Sequence, residues 1–256
     1  MTLAIGIDIG GTGIKGAVVD VASGELVTER VKVPTPEGGE PDDIVAAVVG
    51  MIGGFGARAD GLPVGVCFPA IVRAGRTMSA ANVSKSWIGL EAEHLFEAAL
   101  HRDIFFVNDA DAAGIAEAHY GAARDVRGLV IMTTLGTGIG SAFLYNGVLV
   151  PNTELGHLEI DGADAESRAS NAAREREGLD WAQWAERLQR FYSTVEFLFS
   201  PALFVVGGGV SKAHDDFLPL LRLTTPIIPA VLRNNAGTLG AAALAADPSG
   251  FATGGD

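Results

Sequence analysis

The residues of this chain best suited to chemistry lie at glycine-rich turns. Gly11–Ala17 (GTGIKGA) returns 125 residues later as Gly136–Ala142 (GTGIGSA), identical at five of seven positions. Each copy is entered by an apolar run, Leu3–Ile7 or Leu129–Met132, and left by another, Ala17–Val19 or Ala142–Leu144. Each therefore predicts strand, turn, strand: a hairpin whose tip is nearly bare backbone. Glycine lets successive N–H groups converge on an anion with no side chain in the way. Two such tips predict two half-molecules holding one phosphate chain, through Gly10, Gly11, Gly13, Gly136 and Gly138. Gly11-x-Gly13-x-x-Gly16 also has the letter pattern of a dinucleotide fingerprint. That fingerprint needs a helix after the glycines, and Ala17-Val18-Val19 reads as a strand.

The side chains around the turns suit a phosphoryl donor. Asp8 precedes the first turn and is either a turn-forming carboxylate or a ligand for Mg²⁺, held directly or through water. Thr12 and Thr137 offer hydroxyls, and Lys15 a compact positive charge. A third turn, Val205–Lys212 (VVGGGVSK), reads as strand, glycines, helix. Gly208 and Gly209 there either bind a distal phosphate or let a loop pass close to a ligand.

Acceptor chemistry is expected elsewhere. Asn108-Asp109 follows the apolar strand Ile104–Val107 and precedes a helix. The carboxyl end of a strand is where α/β proteins place their chemistry, so Asp109 is the expected general base; capping the helix is its alternative role. Glu154-Leu-Gly-His157 brings together a carboxylate and an imidazole able to clamp adjacent sugar hydroxyls. As a metal pair it lacks nearby partners. Asn82 adds an amide, with the Trp87 ring nearby.

These groups need a framework of strands and helices. Strands are expected at Leu3–Ile7, Gly16–Val19, Glu25–Val33, Val64–Phe68 and Ile104–Val107. Helices are expected from Asp42 or Asp43 to about Phe55, at Glu91–Leu100 and at Ala110–Tyr120. The pattern restarts at Leu129–Thr133, Ser141–Tyr145 and Val148–Val150. A mostly helical stretch then runs from Ala163 to about Phe199 with a break near Gly178. Leu203–Val206, a helix from Ser211 and a last helix Ala236–Ala245 capped by Asn234–Asn235 complete the series. This is a duplicated α/β architecture. Domains are expected at 1–110 and 111–235, with helix 236–246 packing back on the first and a disordered tail over 247–256.

The 256 residues are 48% hydrophobic, with 34 glycines and one cysteine, Cys67. One cysteine excludes disulfides within the chain and a cysteine-based zinc site, which makes the cytoplasm the expected compartment. The opening Met-Thr-Leu-Ala-Ile-Gly-Ile-Asp has no basic region and reads as a first strand, not a signal peptide. No run reaches the ~18 apolar residues of a membrane span. A net charge of −13 argues against nucleic acid as a partner.

Together these residues resemble the sugar kinases of the ROK family, and within it the polyphosphate glucokinase group of actinobacteria. The resemblance runs to about Ala246. Asp8–Ala17, Leu135–Ala142 and Val205–Lys212 resemble the family's phosphate motifs. Val107–Gly114 (VNDADAAG) resembles the segment with the catalytic aspartate; Ala81–Gly89 (ANVSKSWIG) and Thr153–His157 (TELGH) resemble the sugar-contact segments. Many members carry a cysteine-rich zinc loop after the last of these. Here Leu158–Ala165 stands in its place without cysteine, so no zinc is expected. The family's second sugar-binding glutamate aligns with Glu166, with Glu159 as the alternative.

The resemblance implies the duplicated actin-like ATPase fold (hexokinase–Hsp70–actin), two domains around a cleft that closes on sugar, and a homodimer. It implies phosphoryl transfer from inorganic polyphosphate, with ATP as a further candidate donor, to the 6-hydroxyl of glucose. Asp109 would act as base, Mg²⁺ would sit at Asp8, and Asn82, Asn108, Glu154, His157 and Glu166 would hold the ring. A strictly ATP-dependent glucokinase or mannokinase of the same family is the alternative. A sugar-sensing regulator is expected less, because the first phosphate strand begins at Leu3 with no room for a helix-turn-helix ahead of it. Arg73, Arg76, Lys85, Lys212 and Arg233 are candidates for a basic track along a polyphosphate chain.

Overall fold

A computed structural model describes residues 1–248. The chain runs β1 (Leu3–Gly10), β2 (Gly13–Asp20), β3 (Glu25–Leu26), β4 (Val31–Val33), α1 (Pro41–Gly54), β5 (Val64–Phe68), β6 (Val72–Arg73), β7 (Arg76–Thr77), α2 (Ala92–Leu100), β8 (Ile104–Asn108) and α3 (Asp109–Tyr120). It continues through β9 (Leu129–Leu135), β10 (Ile139–Tyr145), β11 (Val148–Val150), β12 (Glu159–Ile160), β13 (Ala163–Asp164), α4 (Ala165–Ala169), α5 (Asn171–Glu177) and α6 (Trp181–Phe199). It ends with β14 (Leu203–Gly207), α7 (His214–Phe217), β15 (Ile227–Pro229) and α8 (Ala236–Ala246). Among the described residues two compact units form: Met1–Ala116 with 235–248, and Glu117–Asn234.

Both units use one plan. The first sheet has the order β3-β2-β1-β5-β8, with β4 also on β2; the second has β11-β10-β9-β14-β15. In each, an antiparallel meander is followed by two strands parallel to its first strand. The duplication written in the glycine turns is thus a duplication of topology.

In β1, alternation separates two faces. Ile5, Ile7 and Ile9 join Val64, Val66, Phe68, Trp87, Phe96 and the buried side of α1 in one core cluster. Ala4, Gly6 and Asp8 look the other way, onto α8. There the packing is backbone on backbone. A Cβ at Gly6 would lie 1.9 Å from the Thr238 carbonyl oxygen, one at Gly65 the same distance from that of Ala241, and one at Gly240 1.8 Å from that of Ala112. In the second unit, Trp184, Leu188, Phe191 and Tyr192 of α6 pack on Ile131, Phe204 and Val206. Asp180 opens α6 with a capping box closed by Gln183.

Several expected elements differ in detail. The strand expected over Glu25–Val33 is broken, because the Thr28 hydroxyl takes the Val18 N–H in place of a ladder carbonyl. Pro41 opens α1, and Asp42 and Asp43 lie in its first turn without capping it. The helix expected from Ala163 begins two residues later. Asp161 and Gly162, both at positive φ, form a two-residue turn that pairs β12 with β13. Ser170 caps α5 and adds a second break besides Gly178. After the third glycine turn there is a 3₁₀ segment, Gly209–Ala213, and only then the short α7. Asn235 does not cap α8 with its side chain; its amide oxygen accepts from Arg30. Of the expected tail, residues 249–256 lie outside the described residues.

Replacing Gly65 by Ala should force α8 off β5 and cost at least about 2 kcal/mol, the penalty of overpacking a core that cannot give way. Gly50 on α1, with nothing within 4 Å of its absent Cβ, is the control. Its replacement by Ala should be neutral or stabilise by up to about 1 kcal/mol. Urea unfolding of both variants checks the pair; equal midpoints would remove α8 packing as the constraint.

Candidate active site

In the first unit the site is built on the β1–β2 hairpin. Gly10 pairs with Gly13, so Gly11 and Thr12 alone make the turn. Thr35 caps its base by donating to the Gly10 carbonyl. Gly11 lies directly under Asn82: a Cβ there would come 2.6 Å from the Asn82 Cβ. Asn82 itself holds a left-handed φ of 61°. The expected sugar amide and the expected phosphate turn are therefore neighbours.

Asp8 and Lys15 are cross-strand partners, and the Lys15 ammonium donates to the Asp8 carboxylate at 2.7 Å. The Cys67 thiol lies 3.8 Å from the other Asp8 oxygen. Gly237, in the first turn of α8, leaves room for the same carboxylate, since a Cβ there would stand 2.9 Å from Asp8 Cγ. Burial pushes the Cys67 thiol well up, and the carboxylates of Asp8 and Asp109 push it further against Lys15. Cys67 is thus a protonated core group beside the site, not a nucleophile.

At the end of β8, Asn108 and Asp109 divide the work. The Asn108 amide oxygen accepts from Ala110 N at 2.8 Å and Asp111 N at 3.0 Å, and its nitrogen donates to the Ala70 carbonyl at 3.0 Å. Asn108 is therefore the helix cap. The capping role that competed with catalysis for Asp109 belongs to its neighbour. Asp109 stands in the first turn with one oxygen on Ala110 N at 2.8 Å. Asn108, nearly buried, keeps one amide hydrogen for a ligand.

In the second unit the turn is wider. Leu135 pairs with Ile139, leaving Gly136, Thr137 and Gly138 at the tip. Glu166, from the first turn of α4, accepts the Ile139 N–H at 3.0 Å. Its carboxylate fills the space beside Gly138 and Gly156, where added Cβ atoms would come 2.3 and 3.0 Å from its Oε2. Glu154 and His157 share its field. Burial raises the Glu154 carboxyl, His157 opposes the shift and Glu166 adds to it. Gly208, at φ 83°, passes the backbone of β9: its Cβ would lie 2.4 Å from the Leu135 oxygen. The third turn thus packs on the base of the second at Gly208, while Gly209 has nothing within 4 Å of its absent Cβ.

His157 has a partner that the sequence did not reveal. Asp164 Oδ2 lies 2.9 Å from His157 Nδ1, delivered there by the β12–β13 hairpin. This bond raises the His157 pKa; burial lowers it, and the charges of Glu166, Asp164 and Glu154 raise it. Ligand atoms of His157, Asp164 and Glu166 lie within 4.8 Å of one another, the only such group of three among the described residues. The imidazole does not lack neighbouring carboxylates after all. The Asp161-Gly162 pair in the sequence is the signal that could have announced the hairpin.

Other expectations need correction. Trp87 is fully buried, stacked on Phe96 and donating to the Gly39 carbonyl, so its ring belongs to the core. Glu159 is exposed on β12, while Glu166 is the one beside Glu154 and His157. Within the supposed basic track, Arg76 is paired with Glu91 and Lys85 donates to the Ala80 carbonyl.

A Mg²⁺ ion fits Asp8 in a limited way. One carboxylate oxygen is taken by Lys15, the other has only a distant thiol, and no second carboxylate joins Asp8 in a metal-binding group among the described residues. That donor set cannot cage Ca²⁺ or Zn²⁺. It suits an ion that keeps its waters and takes substrate phosphates for the rest.

The ROK family model matches residues 4–174. A polyphosphate glucokinase of Mycobacterium tuberculosis is 44% identical over 238 residues, covering 93% of this chain and 89% of that one. The crystal structure of the inorganic polyphosphate/ATP-glucomannokinase of Arthrobacter sp. strain KM superposes with a TM-score of 0.90 at 57% identity, over 94% of this chain and 97% of the other. A ROK family glucokinase of Streptomyces griseus in complex with glucose and AMPPNP superposes at 0.81 with 25% identity, over 95% and 99%.

The His157–Asp164 bond makes a pH prediction. A histidine with a raised folded-state pKa lends stability fully below its unfolded value of about 6.5 and loses it as pH rises through the raised one. Asp164→Asn should move the His157 titration midpoint down towards that ordinary value, read from its imidazole proton shifts. An unmoved midpoint would exclude Asp164 as the cause.

Proposed function

The chain belongs to the ROK family and has the duplicated actin-like ATPase fold; on that premise we propose that it is an enzyme transferring the terminal phosphoryl group of inorganic polyphosphate or ATP to the 6-hydroxyl of glucose. The observation that carries the catalytic assignment is the Asn108 cap. Because Asn108 takes the Asp111 N–H and shares that of Ala110 with Asp109, the start of α3 is capped without depending on the carboxylate next to it. Asp109 takes the proton of the sugar hydroxyl as its oxygen attacks phosphorus.

The remaining residues orient and hold. Asn82, Glu154, His157 and Glu166 fix the ring, which lowers the barrier by setting the attack geometry. Asn108 contributes its remaining amide hydrogen and the placement of Asp109. Backbone N–H groups of the turns, Gly10 to Gly13 and Gly136 to Gly138, with Thr12, Thr137 and Lys15, receive the phosphates. Gly208 packs on the Leu135 backbone at the base of the second turn, and Gly209 beside it is open to a distal phosphate. Mg²⁺ at Asp8, when bound, would offset charge on the phosphate oxygens.

Acceptance of mannose is the second reading, favoured by the glucomannokinase name of the Arthrobacter relative. We further infer a cytoplasmic homodimer without a nucleic-acid partner. The net charge of −13 supports the last point, and the exposed Phe197, Leu198 and Tyr145 offer apolar surface for a second copy. Among the described residues no helix is long and apolar enough to cross a membrane. Sedimentation equilibrium decides the oligomer.

Asp109→Asn should keep sugar affinity while lowering turnover on the order of 10²–10⁴-fold; near-normal turnover would remove it as base. The donor is tested by glucose 6-phosphate formation with Mg²⁺ and purified polyphosphate or ATP as sole donor. Product with ATP and none with polyphosphate would leave a strictly ATP-dependent hexokinase.

A further inference from the structure

Lys15 stands between two charged partners. It faces Asp8 on β1 and Lys32 on β4, each in direct register. Directly opposed residues of an antiparallel pair share a face. Asp8, Lys15 and Lys32 thus form a row across the hairpin, and Gly13, two residues before Lys15, lies on the same face. Asp8 answers the Lys15 charge at 2.7 Å. Lys32 is exposed, and among the described residues no hydrogen bond or ion pair engages its side chain.

The Lys32 stem leans along the strand towards the turn. A Cβ at Gly13 would lie 2.8 Å from Lys32 Cε and 3.8 Å from its Cγ. The methylene chain therefore runs across Gly13, the residue that closes the turn of Gly11 and Thr12, and carries the ammonium to that side of the hairpin. An edge strand often carries lysine to discourage pairing with other chains. That alone does not call for a lysine directly opposite another, where like charges repel, nor for a stem laid over the turn. An anion seated at the turn accounts for both.

We propose that Lys32 binds the condensed phosphate chain of the donor, supplying at the first glycine turn the positive charge that Asp8 has not already compensated. The proposal deepens the phosphoryl-transfer reading and rests on it. Polyphosphate and ATP share the chemistry concerned. Because β4 is an edge strand on the solvent side of β2, a chain longer than three phosphates can continue past Lys32 into water.

The test uses the full chain with Lys32→Ala, Lys32→Glu and Lys32→Arg. The residue is exposed, so all three should melt like the parent. Expected is a five- to tenfold rise in the donor KM for Ala, more for Glu, and near-parental behaviour for Arg, with the glucose KM unchanged. For polyphosphate, the slope of log KM against log salt should fall by roughly 0.7, the value for one neutralised phosphate of a single-stranded polyanion. A rise with both donors places Lys32 on phosphates that both possess; a rise with polyphosphate alone places it further along the chain. Unchanged KM values for both donors in the Ala and Glu variants overturn the proposal. Calorimetry with tripolyphosphate separates it from the reaction. A parent that phosphorylates no sugar yet binds tripolyphosphate more tightly than Lys32→Ala would sink the kinase reading and leave Lys32 standing; equal affinities would sink Lys32.

Discussion

The first unit depends on α8 lying against β1 and β5 with no side chain between them. Gly6 and Gly65 meet carbonyl groups of the helix, and Gly240 meets one of α3. Packing that close fixes the helix along its length, because any Cβ would have to displace backbone and not a yielding side chain. The start of α8 is thereby fixed under Asp8, where Gly237 again leaves the room. A contact between backbones in the middle of the sheet so fixes the surroundings of a carboxylate two residues further along β1. The opposite face of the same strands, isoleucine after isoleucine, can then be filled with ordinary apolar packing.

The second unit meets the corresponding demand with one carboxylate. Glu166 holds the Ile139 N–H at the end of the second turn and sits against Gly156 of the segment that carries Glu154 and His157. One side chain therefore sits between the turn and the segment of Glu154 and His157. The field of three acids and one imidazole has a cost in charge. Burial and Glu166 hold the Glu154 carboxyl above its usual range, and the imidazolium favoured by Asp164 counters that. Neighbouring charges that shift one another in this way are typical of sites that must bind polar ligands.

Much of this was legible in the sequence, for identifiable reasons. Strands with an apolar residue at every second position, and glycines between them, announce hairpins whatever the tertiary setting, so both glycine turns and the strand before Asp109 could be read directly. What escaped was decided by hydrogen bonds between distant residues. Thr28 interrupts a strand by taking the Val18 N–H, Asn235 leaves its cap for Arg30, and Asp164 reaches His157 only because a two-residue turn folds it back. Trp87 was misplaced because an aromatic beside a polar motif looks the same in sequence whether it faces a ligand or the core. Lys32 carries no motif at all; only the register of β4 against β2 brings it to Lys15.

The repeat also shows what a duplicated sequence can and cannot encode. GTGI recurs as the same bare hairpin tip in either half, and a tip of that kind suits an anion. The flanking positions are free to differ. Where the first copy has Asp8 and Lys15, the second has, at the same offset of 125 residues, Thr133 and Gly140. Thr133 is buried, bonded to the Tyr192 hydroxyl at 2.6 Å. The second turn is therefore joined to a core residue where the first is joined to an ion pair, and no lysine can reach it from Gly140. The lysine–carboxylate pair beside the turn thus belongs to the first copy, and a buried pair of hydroxyls takes its place beside the second. The repeat keeps the bare backbone tip and diverges in the side chains around it, so what either half can hold is decided outside the repeated motif.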